Sequence, residues 1–183
     1  MPLTTPKTRT PLHTRQIECI GYERDDGLYD IEAHMTDVKH YSYSNKHRGH
    51  VDAGEAVHDM WIRITVDDDL LVHSAEASTD TSPYPVCPSV NENYKKLEGL
   101  QIGPGWNLRT RNVLKGTEGC THLTELLGPL ATTAYQTVIP RRKHQGKSPR
   151  DPDKKPSLLG TCRAYASDGE IVKEYWPKFY TGS

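Results

Sequence analysis

The chain has 183 residues, with 23 Lys and Arg against 24 Asp and Glu and a formal net charge of -1. That length fits one domain better than two, and a charge near zero excludes a whole-molecule field that would favour nucleic acid or a membrane surface. No apolar run approaches the roughly 18 residues of a transmembrane helix, and Met1-Pro-Leu-Thr-Thr-Pro lacks the apolar core of a signal peptide. The expectation is therefore a cytoplasmic protein, whose Cys19, Cys87, Cys120 and Cys162 are buried thiols, thiolates or metal ligands rather than disulfides.

In chain order, residues 1–15 are rich in Thr, Pro and basic groups and read as an extended arm. A short strand follows over 17–22, then Asp26-Gly27 marks a turn. Tyr29, Ile31, Ala33 and Met35 alternate with Asp30, Glu32, His34 and Thr36. That period of two predicts a half-buried strand, with Glu32 and His34 on one face and Asp37 on the other if the strand runs straight on. Residues 39–56 are a polar stretch, either a lid or a long connection. Residues 60–66 and 71–77 form a hairpin about Asp67-Asp68-Asp69, with Asp59 and Trp61 pointing together, Met60 inward and His73 on the inner side.

Pro88 suits the first turn of a helix over 89–97, which leaves Cys87 near its start. Residues 99–105 hold three glycines and a proline and form a loop. Over 121–138, Leu123, Leu126, Leu127, Leu130 and Ala134 make the clearest helical stripe, in which Pro129 predicts a kink or break. The domain organisation that follows is an arm (1–15), one α+β domain (16–139), a basic Pro-rich linker (140–157) and a C-terminal extension (158–183). The extension is expected to be a hairpin of 161–166 with 170–175. The fold class is α+β, a small antiparallel sheet packed against two or more helices.

Chemistry concentrates at Gly119-Cys120-Thr-His122-Leu-Thr-Glu125. A helix start lowers a thiol's pKa and attracts anions, and His122 and Glu125 project from one face. A thiolate, an imidazole and a carboxylate together suit a metal site or an acid–base–nucleophile cluster. Each residue also has a plain structural role open to it: buried Cys, satisfied His, solvated Glu. Cys87 is the second thiol at a helix start. His58-Asp59 could ligate a metal or relay protons, and Glu32 could orient His34. His13, His40, His47, His50 and His144 lie in polar segments and are expected to be solvated. The basic run from Arg141 to Arg150 lacks interleaved aromatics and reads as a solvated segment rather than a nucleic-acid surface. No dinucleotide fingerprint, P-loop, H-E-x-x-H or G-x-S-x-G motif occurs.

Four stretches together resemble an uncharacterised bacterial family known only as a domain of unknown function. They are Arg24-Asp-Asp-Gly27-Leu-Tyr-Asp30-Ile-Glu32-Ala-His34, Val57-His58-Asp59-Met60-Trp61-Ile-Arg63, Gly119-Cys120-Thr-His122-Leu-Thr-Glu125-Leu and Thr133-Ala134-Tyr135-Gln136. A more distant likeness, in motif order, is to iron–sulfur scaffold proteins of the NifU type. It implies a NifU-scaffold-like core with metal ligands at strand and helix ends, and it places Asp59, Cys87 and Cys120 on ligand positions. The scaffold's first Cys falls on Val57 or His58, and Gly119 stands where its His would be, with His122 close by.

Two function classes follow. The first is a small lyase, isomerase or hydrolase acting on a small organic catabolic substrate without a nucleotide cofactor. Its catalytic groups would be Glu32, His34, His58, His122 and Glu125. Its cofactor, where one is bound, would be Zn2+ or Fe2+, which suit imidazole and thiolate ligands. The second is a metal or iron–sulfur carrier using Cys87, Asp59, Cys120 and His122. Neither involves nucleic acid or membrane, and the sequence leaves a homo-oligomer open.

Overall fold

The computed structural model describes residues 3–147 and 153–182. Its elements begin with six strands: β1 (His13–Glu23), β2 (Tyr29–Lys39), β3 (Tyr43–Asn45), β4 (Gly49–Val51), β5 (Ala56–Val66) and β6 (Val72–Thr81). A 3-10 helix (Cys87–Leu97) and three α-helices follow: α1 (Trp106–Val113), α2 (Thr121–His144) and α3 (Glu170–Tyr175). Four strands make one antiparallel sheet in the order β1-β2-β5-β6, and β3 and β4 pair as a separate ribbon. The fold is therefore α+β, as the alternating and helical periods predict.

The pleat divides the sheet's residues cleanly. Tyr29, Ile31, Ala33, Met35 and Asp37 of β2 are buried, as are His58, Met60, Ile62 and Ile64 of β5. This inner face meets α2, which packs on β1, β2 and β5. Helix α2 contributes Leu123, Leu126, Leu127, Leu130, Ala131, Ala134 and Val138, one stripe at the i, i+3, i+4 spacing. On β1 the close approach falls at Gly21, where an added Cβ would lie 1.9 Å from Thr137 Oγ1. Glycine is what allows the helix to lie on that strand.

The chain divides into two units, Met1–Gln145 and Gly146–Ser183. In the second, Glu170–Tyr175 is the helix α3, flanked by 3-10 turns at Arg163–Tyr165 and Pro177–Phe179. The expected C-terminal hairpin is thus replaced by helical turns. Gly169 precedes an acidic first turn that holds Glu170, a combination that favours a helix start as much as a hairpin loop.

Other expectations are corrected as well. The arm is shorter than 1–15, because β1 begins at His13. The 39–56 stretch contains the β3–β4 ribbon. Helix α2 runs through Pro129 and Pro140 without a break and reaches His144, so the start of the expected linker is helical. Residues 148–152 of that segment lie outside the described residues. His73 is not an inner-face histidine. It is exposed, and its Nε2 lies 2.8 Å from Asp67 Oδ2.

Candidate functional site

One rung of the sheet carries the chemistry. Arg15 of β1 stands opposite Asp37 of β2, and Asp37 stands opposite His58 of β5, all on the face that α2 covers. The Asp37 side chain is 3% exposed, so its charge must be compensated locally. Arg15 does this with a two-point grip, Nε to Oδ1 at 2.8 Å and Nη2 to Oδ2 at 2.7 Å. His13 adds Nε2 to Oδ1 at 2.9 Å, and His58 Nδ1 lies 3.0 Å from Oδ2.

A carboxylate offers about four lone-pair sites. Arg15 fills two and His13 a third, which leaves the fourth facing His58. Since ionised Asp37 can only accept, a metal-free His58 carries its proton on Nδ1 and presents the lone pair of Nε2.

The second imidazole comes from the first turn of α2. The His122 ring lies 3.8 Å from the His58 ring, centroid to centroid, at 31°. Two features fix the start of that helix. Tyr94, fully buried in the 3-10 helix, donates its hydroxyl to the Cys120 carbonyl at 3.0 Å and accepts from the Cys120 amide at 3.1 Å. Tyr94 Oη is also 3.0 Å from Thr124 Oγ1. Cys120 thereby sits with Sγ 3.8 Å from His122 Nδ1. Glu125, one turn on, binds Arg15 Nη1 and so joins the helix to the Asp37 rung.

The electrostatics follow from this packing. Burial alone would raise the Asp37 carboxyl, but the N–H groups of Arg15 and His13, the Arg15 charge and His58 hold it well below the usual carboxylate range. His58 is lowered first by burial and then by neighbouring His122, which the Asp37 contact only partly offsets. His122 is lowered by burial and by the Arg15 charge, against the opposing pull of Asp37 and Glu125. Two imidazoles neutral near pH 7 face one ionised carboxylate. Asp37, His58 and His122 offer one ligand atom each, all within 4.8 Å of one another.

The residues singled out from sequence fall into separate places. His58, His122, Cys120 and Glu125 belong to this inner cluster. Glu32, His34 and Asp59 lie on the opposite face of the sheet. There His34 Nε2 is 2.7 Å from Asp59 Oδ1, and the His34 ring stacks on Trp61 at 3.7 Å and 6°. Glu32 is within 3.5 Å of Arg63. The ligand set Asp59, Cys87, Cys120 and His122 is therefore not assembled as one group, and Cys87 opens the 3-10 helix as a free thiol. The residues of this candidate site missed by sequence reasoning are Asp37, Arg15 and His13. The signal for Arg15 was available, since it keeps parity with Ile17, Cys19 and Gly21 along β1.

Residues 13–136 match the model of a family described as "Protein of unknown function (DUF2889)". That span holds the whole sheet and most of α2, and the chain belongs to this family. No curated protein and no solved structure matches the chain, so the NifU-type likeness rests on motif order alone. Among the described residues, no helix is long and apolar enough to cross a membrane.

Proposed function

We propose that this family member is a small enzyme of hydrolase, lyase or isomerase type. In this reading it acts on a small organic molecule, with one Zn2+ or Fe2+ held by Asp37, His58 and His122. The observation that carries the reading is the convergence of two neutral imidazoles and a buried carboxylate, with ligand atoms within 4.8 Å of one another. The two imidazole donors suit these ions better than Mg2+ or Ca2+. Asp37, His58 and His122 would each lend the ion one ligand atom. Such an ion supplies Lewis acidity to a bound oxygen.

The protein's own groups then divide the work. Arg15 and His13 hold the Asp37 carboxylate in a fixed orientation, as outer partners of a ligand commonly do. Cys120 and Glu125, beside His122 and Arg15, are the groups placed to move a proton at the edge of the site.

Elemental analysis of the purified protein tests this. The expected result is about one Zn or Fe per chain, falling at least roughly tenfold in His58→Ala/His122→Ala and unchanged in Cys87→Ala/Cys120→Ala. Loss of metal in the cysteine variant would favour the carrier class instead. A metal-free protein that cannot be reconstituted overturns the metal and leaves an acid–base site, with Asp37 orienting His58 and Nε2 as the base.

A further inference from the structure

On its other side, the first turn of α2 forms one wall of an open groove of about 610 Å³, which α1 and the chain that follows it complete. Arg111 and Lys115 line this groove. Neither side chain has a hydrogen-bond or ion-pair partner among the described residues. That distinguishes Arg111 from the other arginines in this unit's strands and helices. Arg15, Arg63 and Arg141 each hold a carboxylate, Arg109 holds the carbonyls of Gln101 and Pro104, and Arg142 holds the Asp68 carbonyl. Two unpaired cations line one groove, and a bound anion would give both a partner.

The one carboxylate in the wall, Glu125, is already engaged by Arg15. The groove borders the inner cluster through two shared residues. Cys120 and Glu125 line it, while Cys120 Sγ lies 3.8 Å from His122 Nδ1 and Glu125 reaches Asp37 through Arg15. Leu114 and Leu127 give the same groove an apolar wall. Its volume is that of a small-molecule site.

We infer that this groove binds the substrate's anionic end, a carboxylate or phosphate oxyanion held by Arg111 and Lys115, with the organic body directed past Cys120 toward His122. The inference deepens the enzyme reading above by naming the substrate class, and it rests on that reading for the identity of the site it feeds.

Calorimetric titration of the full chain at low ionic strength, where such contacts are least screened, tests it with four probes: benzoate, succinate, inorganic phosphate and neutral benzamide. At least one anion should bind saturably with a Kd below about 10 mM, and benzamide should not. Arg111→Gln/Lys115→Gln changes two exposed side chains and should weaken that anion roughly tenfold or more. Binding of phosphate alone assigns a phosphate ester, and binding of carboxylates alone assigns an organic acid. The inference is overturned if no anion binds the wild type, if benzamide binds equally well, or if the Gln variant binds unchanged. Those failures leave the metal content untouched. A protein without metal that still binds the anion instead removes the metal reading and keeps the groove.

Discussion

Two histidine–aspartate pairs occupy the same end of the sheet, one on each face. His58 meets Asp37 inside, and His34 meets Asp59 outside. The residues His58 and Asp59 are adjacent in sequence, yet the pleat sends one under α2 and the other to solvent. Both pairs have hydrogen-bond distances, so distance does not separate them. Burial does. The inner side chains are 11% and 3% exposed, the outer ones 24% and 31%. Inside, a charge left without its partner has no water to replace it, whereas outside water replaces it readily. The same two residue types thus form a candidate reactive centre on one face and a surface pair on the other.

The largest expected effect breaks the inner pair. Asp37→Asn removes the charge that Arg15, His13 and His58 all address, and a buried pair broken on one side costs about 3 kcal/mol. Asp59→Asn, its counterpart outside, should cost no more than about 1 kcal/mol. Urea unfolding of the two variants measures the difference directly. Equal costs would mean that the faces do not differ as their burial indicates.

Next in size is the clamp that holds α2 over the inner face. Tyr94→Phe leaves the Cys120 amide without its partner and the Cys120 carbonyl with the Thr124 amide alone, at about 1–2 kcal/mol. It should also lower metal retention, because His122 is two residues from the released backbone. The His34–Asp59 pair shares no element with Tyr94 and should be unaffected. Unchanged metal content in a measurably destabilised Tyr94→Phe would show that the clamp supports the fold but not the site.

A smaller effect should appear with pH in the chelator-treated protein. His58 and His122 have folded pKa values below their unfolded ones, so the unfolded chain binds more protons on acidification. Their contribution to stability is present above about pH 6.5 and is lost as pH falls below it. Asp37, also lowered, contributes above the unfolded value of 3.8 and loses its contribution only below that. Thermal unfolding between pH 4 and 8, a span of roughly four units around the histidine range, should decline toward acid in the wild type. The upper part of that decline should flatten in His58→Ala/His122→Ala. A profile that does not change in this variant would place the titrating groups elsewhere.

Much of the frame was legible in the sequence because it follows from periodicity. The alternation from Tyr29 to Met35 gave β2, Asp26-Gly27 gave the turn before it, and the leucine stripe gave α2. The faces were legible too, since Met60 inward and Trp61 outward already separate His58 from Asp59. What hid the site was reading His58-Asp59 as a local pair, when each residue's partner lies on β2. Arg15 and His13 were obscured by the Thr/Pro-rich arm around them, although strand parity carries into that segment. Pro129 misled for a different reason. A proline removes one helix hydrogen bond and crowds the preceding turn, but Leu126, Leu127, Leu130 and Ala131 around it are held against the core. Tertiary packing outweighs the local cost. The likeness to iron–sulfur scaffolds directed attention to Cys87 and Asp59, which the fold does not bring to the imidazole pair.

The smallest expected effect tests the outer pair itself. His34→Ala removes a ring stacked on Trp61 at 3.7 Å and a 2.7 Å contact to Asp59. Because Trp61 is 38% exposed, water takes over much of what is lost, and the change in stability should stay within about 1 kcal/mol. The indole emission should nevertheless move, since Trp61 loses the ring that covers it. Metal content should equal that of the wild type. This last measurement matters most, because Glu32 and His34 have the residue types of a catalytic pair and only their face argues against that role. If His34→Ala empties the protein of metal while His58→Ala does not, the reactive centre belongs on the solvent face, and the buried Asp37 rung is a structural network.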